Sequence, residues 1–115
     1  MQPSPLEFLR HIRDECIYIE EQANGLDKQA FIVDATLRRA FVRSIEVIGE
    51  ATKKIPAAIR RKYSQVEWKV MAGMRDRLIH NYFGIDYDLV WDVVVNQIPI
   101  LKRQIELILQ DEGGA

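Results

Sequence analysis

A chain of 115 residues, 48% hydrophobic and 29% charged, is long enough for one globular domain with a single modest core. No apolar run approaches the roughly 20 residues that span a bilayer, and residues 1–5 lack the features of a secretory signal, so we expect a cytoplasmic protein with no membrane partner. Cys16 is the only cysteine, which excludes an intrachain disulfide and a thiol-based zinc site. No dense carboxylate cluster indicates magnesium either, and we expect no metal and no cofactor.

The net charge of −1 conceals a basic middle segment. Residues 38–77 hold 11 of the 16 Lys and Arg residues but only 4 of the 17 acidic ones, so this segment carries +7 and the two ends together −8. Such a segment could bind a polyanion, or its charges could be solvated helix faces paired with the acidic ends. Charge alone does not decide between these interpretations.

The first predicted helix spans residues 5–23. Ser4 can cap it, Pro5 suits its first position, and Glu7 completes a capping box, while Asn24 and Gly25 end it. Its buried face follows from the helical spacing of the apolar residues Leu6, Leu9, Ile12, Cys16 and Ile19.

A second, long helix is predicted from the cap at Asp27 to the residue before Pro56, with a length of about 27 residues. Its core face is the apolar series Leu37, Phe41, Ile45, Ile48, Ala51 and Ile55. The opposite side carries charges at the spacing of ion pairs, namely Arg39, Arg43, Glu46 and Glu50. A second apolar strip, formed by Val33, Ala40 and Val47, could contact another subunit.

A short helix over residues 56–62 and a linker precede the third long helix, predicted over residues 66–83. Ser64 and Glu67 form its capping box, and Gly84 is its terminator. Met71, Met74, Leu78 and Tyr82 fall in one narrow stripe that should face the core. On the same projection His80 lies on the opposite side, so we expect it to point away from the chain's own core.

The fourth helix begins at a cap, Asp86 or Asp88, and its apolar pattern continues in phase past Pro99, which predicts a kink there rather than an end. Its predicted buried face is Leu89, Val90, Val93, Val94, Gln97, Ile98, Leu101, Ile105 and Ile108. We expect residues 110–115 to be a frayed tail. The fold class is all-α: an antiparallel up-down four-helix bundle with a short extra helix between helices two and three.

The candidate site is the series R-x4-H-x-Y, formed by Arg75, His80 and Tyr82, with Asp76 directly after the arginine. A guanidinium group can neutralise the charge that develops on a phosphate under attack. An imidazole can take a proton from a ribose 2′-hydroxyl or donate one to the leaving oxygen. This pair needs no metal, and it would cleave RNA rather than DNA.

On a regular helix Arg75 and His80 are about 140° apart, so two copies around one cleft would align them better than one chain does. Gly73 would let two such helices approach closely. Simpler interpretations remain: His80 as a partner of the helix dipole, Tyr82 as a core aromatic residue, or Asp76 as a surface partner of His80. Arg75 could likewise pair only with Glu46 or Glu50 of helix two.

Two segments resemble a known family: RSIEVIGEA at residues 43–51 and GMRDRLIHNYFGIDYDLVWD at residues 73–92. They are similar to the HepT-like ribonucleases of the HEPN superfamily, and the likeness runs from helix one to about Leu109. The resemblance implies one HEPN/HepT-like helical domain over residues 1–115 that forms a homodimer or a higher homo-oligomer. It further implies two motifs facing one another across a cleft.

By the same resemblance, the chain would be a metal-independent endoribonuclease, the toxin of a type VII toxin–antitoxin system, with tRNA among the RNA targets of the family. Arg75 and His80 would be catalytic and Asp76 a supporting polar residue. The antitoxin would be an MntA-like minimal nucleotidyltransferase that transfers AMP to Tyr82 and so blocks the RNA site. Two alternatives are a non-catalytic substrate-binding or regulatory subunit of a nucleotidyltransferase, and a structural dimer whose basic middle contacts RNA without cutting it.

Overall fold

The computed structural model describes residues 4–79 and 84–113, and within these ranges the regular elements are helical, which confirms the all-α prediction. The helices are α1 (Pro5–Ala23), α2 (Lys28–Val33), α3 (Ala35–Lys53), α4 (Ala57–Lys62), α5 (Trp68–Ala72), α6 (Met74–Leu78), α7 (Tyr87–Asp92) and α8 (Ile98–Asp111), with a π-helical turn at Val93–Gln97. Helix α1 packs against α3 and α8, while α5 and α6 pack along α3. In the described part of the chain, no helix combines the length and the apolar character needed to cross a membrane.

Helix α1 has the predicted bounds and the predicted buried face. Leu9, Ile12, Cys16 and Ile19 are all 0% exposed, and Leu6 packs against this core from a partly buried position. Burial, reinforced by the carboxylate of Glu20, raises the pKa of the Cys16 thiol to about 12. The predicted capping box is wrong, because the side chain of Ser4 makes no capping hydrogen bond.

The prediction of a single long second helix is wrong, because the helix is interrupted at Asp34. Asp34 takes an extended conformation (φ −98°, ψ 97°), and its carboxylate accepts a hydrogen bond of 3.0 Å from the backbone N–H of Leu37. An aspartate that caps the following helix competes with continuation of the preceding one. The cap at Asp27 is confirmed, since its carboxylate accepts from the N–H of Ala30 at 2.8 Å. The result is two helices, α2 and α3, in place of one.

The end of α3 and the short helix α4 are joined by an arginine. Arg60 donates from Nε to the carbonyl of Ile55 (3.0 Å) and from Nη2 to the carbonyl of Thr52 (3.2 Å). These carbonyls belong to residues at or beyond the last turn of α3, where no intrahelical donor remains. Part of the basic middle segment therefore has a structural role.

The C-terminal end of α8 is attached to α4. The phenol of Tyr63 contacts the carboxylates of Asp111 and Glu112, and Nζ of Lys62 lies 2.8 Å from Oε2 of Glu112. The hydrogen bonds from Lys62 and Tyr63 lower the pKa of Glu112. The fraying expected from residue 110 onward is thus wrong for Asp111, which is the last residue of α8.

The distortion expected before Pro99 is present as the π-helical turn. The N–H of Ile98 donates to the carbonyl of Val93, five residues earlier, and α8 then continues through Pro99. Because proline cannot donate and its ring crowds the preceding turn, a wider turn relieves the contact without ending the helix. The predicted core face is buried apart from Leu89 and Gln97, which are partly exposed.

Candidate functional site

The prediction of one continuous third helix over residues 66–83 is wrong. Helix α5 ends at Ala72, Gly73 separates it from α6, and α6 ends at Leu78. Ile79 is already extended (φ −106°, ψ 119°). The apolar stripe is confirmed for its described members, since Met71, Met74 and Leu78 are at most 4% exposed. The Ser64–Glu67 capping box is wrong, because no side chain caps α5.

The two ends of the segment that carries the motif histidine and tyrosine lie next to each other. Ile79 and Ile85 form an isolated antiparallel bridge, and the N–H of Asp86 donates to the carbonyl of Leu78 at 2.8 Å. His80, Asn81, Tyr82 and Phe83 lie outside the described residues. The roles predicted for His80 and Tyr82 therefore stay predictions.

The outward orientation predicted for His80 rested on a regular helix through residue 83, and so did the angle of about 140° between Arg75 and His80. Since α6 ends at Leu78, neither projection applies. Gly84 has the positive φ (94°) for which glycine is suited, but no helix running on from α6 reaches it.

Arg75 is anchored to α3 and is still accessible. Its Nε donates to Oε2 of Glu46 at 3.1 Å, and its side chain is 52% exposed. The predicted pairing with helix two is thus confirmed for Glu46, whereas Glu50 pairs with Lys53 at 3.3 Å. Because the bond to Glu46 uses Nε, the two terminal amino groups of the guanidinium can still meet an incoming anion.

Asp76 lies in the first turn of α6 with a side chain that is 87% exposed. One of its oxygens is 3.9 Å from Nη1 of Arg75, which is too long for a hydrogen bond. The carboxylate is therefore near the guanidinium without occupying it. Its supporting role stays a prediction.

Gly49 lies where α5 crosses α3, and it was not among the residues singled out from the sequence. A Cβ atom at Gly49 would lie 3.4 Å from the carbonyl oxygen of Met71 and 3.6 Å from that of Ala72. The backbone of α5 therefore crosses α3 at its glycine, and Glu46 is one turn away. The available signal was a glycine on the apolar face of a helix, next to Ile45 and Ile48.

Among residues 4–79 and 84–113, no three His, Cys, Asp or Glu side chains converge as a metal site would require. The site that this part of the chain presents is centred on one exposed guanidinium, that of Arg75, which is held by the carboxylate of Glu46 and lies near that of Asp76. Such a group can bind a phosphate and stabilise additional negative charge on it.

Comparison with known proteins agrees with this chemistry. The family described as "Ribonuclease HepT-like" matches residues 12–108. A "Putative RNase" of Caldanaerobacter subterraneus subsp. tengcongensis is 47% identical over 95% of this chain and 97% of its own length. A "Putative RNase" of Methanocaldococcus jannaschii is 43% identical (93% and 88% covered), and a "Probable ribonuclease HepT" of Thermococcus cleftensis is 38% identical (92% and 96% covered). No solved structure matches the chain. The matched span includes the whole R-x4-H-x-Y series, and the chain belongs to the HepT-like ribonuclease family.

Proposed function

We propose that this protein is an endoribonuclease that works without a metal ion, with Arg75 and His80 as its catalytic pair. The observation that carries the proposal is the state of Arg75: its guanidinium is fixed through Nε by Glu46 and is 52% exposed, five residues before the motif histidine. Membership of the HepT-like family and the names of the relatives support ribonuclease activity.

The reaction needs only the substrate and these side chains. His80 accepts the proton of a ribose 2′-hydroxyl, the 2′-oxygen attacks the adjacent phosphorus, and the bond to the 5′-oxygen breaks. The leaving 5′-oxygen takes up a proton from water, and His80 returns its own proton to solvent, which gives a 2′,3′-cyclic phosphate and a 5′-hydroxyl end. Arg75 stabilises the additional charge on the phosphate oxygens, and Asp76 is a polar support for the two. DNA lacks the nucleophile and is not cleaved.

The proposed assembly is a homodimer, or a higher homo-oligomer, of HEPN-like four-helix subunits whose motifs share one cleft. Its support is the open position of the candidate site on a single chain. Arg75 and Asp76 both lie at the surface, so a second copy would supply the other wall of a substrate cleft.

The proposed biological role is that of a type VII toxin with RNA as its substrate, tRNA included. A cognate MntA-like nucleotidyltransferase would neutralise it by transferring AMP to Tyr82. An added phosphate two residues from the catalytic histidine would compete with RNA for the guanidinium of Arg75 and repel the backbone of the substrate.

The test combines an RNA cleavage assay with intact mass, on protein produced alone and together with the nucleotidyltransferase. We expect cleavage by the lone protein in the presence of EDTA, no cleavage of the all-2′-deoxy substrate, and loss of activity as whole AMP units appear on Tyr82. Arg75→Ala and His80→Ala should each lower cleavage by at least about a hundredfold. Arg103→Ala removes an exposed arginine from α8 and is the matched control.

Two results would count against the proposal. Cleavage that survives in both Arg75→Ala and His80→Ala would show that these two residues are not the catalytic pair. No cleavage and no added mass, with both proteins folded, would favour the alternative of a non-catalytic binding subunit of the nucleotidyltransferase.

A further inference from the structure

Two arginines on α3 form a row with Arg75. Arg39 and Arg43 are both exposed and one turn apart, a rise of about 6 Å. Glu46 follows Arg43 by three residues and Arg39 by seven, so all three lie on one side of α3. Since the guanidinium of Arg75 is bound to Glu46, it extends the same line. We call Arg39, Arg43 and Arg75 the arginine row.

The first two members of the row have no carboxylate partner within residues 4–79 and 84–113. Their spacing on α3 fits ion pairs with Glu46 and Glu50, but neither arginine forms such a pair in the described part of the chain. Glu46 is bound by Arg75, and Glu50 is bound by Lys53. Arg75 thus takes the acid that would otherwise neutralise Arg43, and two neighbouring guanidinium groups remain open to solvent.

Other cations of the basic middle segment are engaged elsewhere. Arg60 binds backbone carbonyls at the end of α3, and Lys62 binds Glu112 at the end of α8. The guanidinium of Arg38 lies 4.8 Å from the ring centre of Tyr87. These contacts give Arg60, Lys62 and Arg38 structural explanations that Arg39 and Arg43 lack.

The row leads from Arg75 along α3 toward the end of this helix that lies near Tyr87. Helix α3 runs antiparallel to the chain that follows α5: Gly49 faces Met71, Glu46 binds Arg75, and Arg38 covers Tyr87. Arg39 is therefore at the end of α3 nearest to the return of the chain at Ile85. A strand lying along the row would therefore run from Arg75 toward the bridge between Ile79 and Ile85.

We propose that the arginine row binds successive phosphates of a single RNA strand and so places one phosphodiester at the catalytic pair. This inference rests on the proposed ribonuclease function, and it adds Arg39 and Arg43 as substrate-binding residues. Exposed guanidinium groups without a competing carboxylate bind phosphate in bidentate fashion. Contacts of this kind are made to the backbone, so they position the strand without selecting its sequence.

The experiment measures binding of a mixed-sequence 2′-O-methyl RNA 20-mer, which keeps the phosphates and lacks the nucleophile, over a range of salt concentrations. The doubly substituted variant Arg39→Ala with Arg43→Ala should bind about tenfold more weakly at low salt. The slope of log K against log salt should fall by about 1.4, since each phosphate contact to a single strand contributes about 0.7. Arg61→Ala with Arg103→Ala removes two exposed arginines from α4 and α8 that form no ion pair within the described residues, and it should keep most of the wild-type slope and affinity.

If the double variant and the wild type bind equally well, the arginine row does not bind RNA. The ribonuclease proposal would still stand, because cleavage of ordinary RNA is measured separately. Equal losses in both double variants would reduce the effect to net charge and would also overturn the binding role of the arginine row. A wild type that neither binds nor cleaves RNA would end both proposals. A changed sedimentation mass in the Arg39 and Arg43 variant would identify the row as a subunit contact instead. If that variant does not fold, Arg39→Gln and Arg43→Gln singly should each lower the slope by about 0.7.

Discussion

The three long helices and the α5–α6 region differ in what holds them in place. Helices α1, α3 and α8 have 19, 19 and 14 residues, and α1 packs its apolar face against both α3 and α8. Helices α5 and α6 have five residues each and are separated by Gly73. An isolated helix of one turn or slightly more is not stable in water. The region that carries Arg75 therefore depends on α3 for its shape.

The dependence is visible in two contacts. Gly49 lets the backbone of α5 lie against α3, and Glu46 binds Arg75 one turn further along. A rigid helix thus supplies both the surface and the anchor for a short, irregular segment. The comparison indicates that stability and the candidate function are carried by different parts of one chain, and substitutions should separate them.

Phe41→Ala should have the largest effect on stability, a loss of about 3–5 kcal/mol. Phe41 is 0% exposed, and its ring stacks on that of Phe31 with centres 5.5 Å apart. Removing it leaves a cavity that rigid helices cannot close, and both regions should unfold in one transition in urea. Leu107→Ala, at a side chain that is 65% exposed, is the control and should change the stability by less than about 0.5 kcal/mol. A loss below 1 kcal/mol in Phe41→Ala would mean that the core is not the one described.

Gly49→Leu should have the next largest effect on stability, because the leucine side chain would push α5 away from α3. The side chain would meet the carbonyls of Met71 and Ala72, and we expect a loss of about 1–3 kcal/mol. Gly49→Ala is the matched control: its Cβ would make ordinary contacts at 3.4 and 3.6 Å, and the better helix propensity of alanine offsets any strain. Amide exchange should show faster opening of α5 in the leucine variant, with α1 unchanged. Equal stability in the two variants would exclude a tight crossing at Gly49.

Asp34→Ala should cost about 1 kcal/mol through loss of the cap on α3. Asp34→Asn retains an oxygen that can accept from the N–H of Leu37 and should keep most of that stability. Chemical denaturation of the two variants measures the difference. An alanine variant as stable as the wild type would show that the break between α2 and α3 does not depend on the cap.

The elements that the sequence predicted well are those that periodicity alone determines. Helix α1, the apolar face of α3 and the stripe of Met71, Met74 and Leu78 all follow from residues spaced three and four apart. Periodicity does not detect a break that leaves the apolar residues near their phase. The breaks at Asp34 and Gly73 were therefore missed.

The site was predicted in its chemistry and not in its geometry. The R-x4-H-x-Y series identified Arg75, and its alternative pairing with Glu46 is the contact that the structure contains. The projection of His80 assumed a helix that ends at Leu78. The interpretation of Arg39 and Arg43 as ion-paired along α3 did not hold either, because spacing along one helix cannot show that Arg75, from another helix, binds Glu46.

Glu46→Ala should have the smallest effect on stability and the most informative effect on function. The pair that it breaks is partly solvated, with side chains of Arg75 and Glu46 that are 52% and 27% exposed, so we expect a change of at most about 1 kcal/mol. Loss of the anchor lets Arg75 sample other rotamers, and cleavage should slow by about tenfold. Removing a negative charge beside the arginine row should at the same time tighten RNA binding. Turnover and KM would then fall together.

Glu46→Gln keeps an oxygen that can accept from Nε of Arg75, so it should recover most of the turnover while it retains the tighter binding. Single-turnover cleavage and binding of the 2′-O-methyl RNA measure the two quantities separately, and an alanine variant with unchanged turnover would show that Glu46 does not position Arg75 for the reaction.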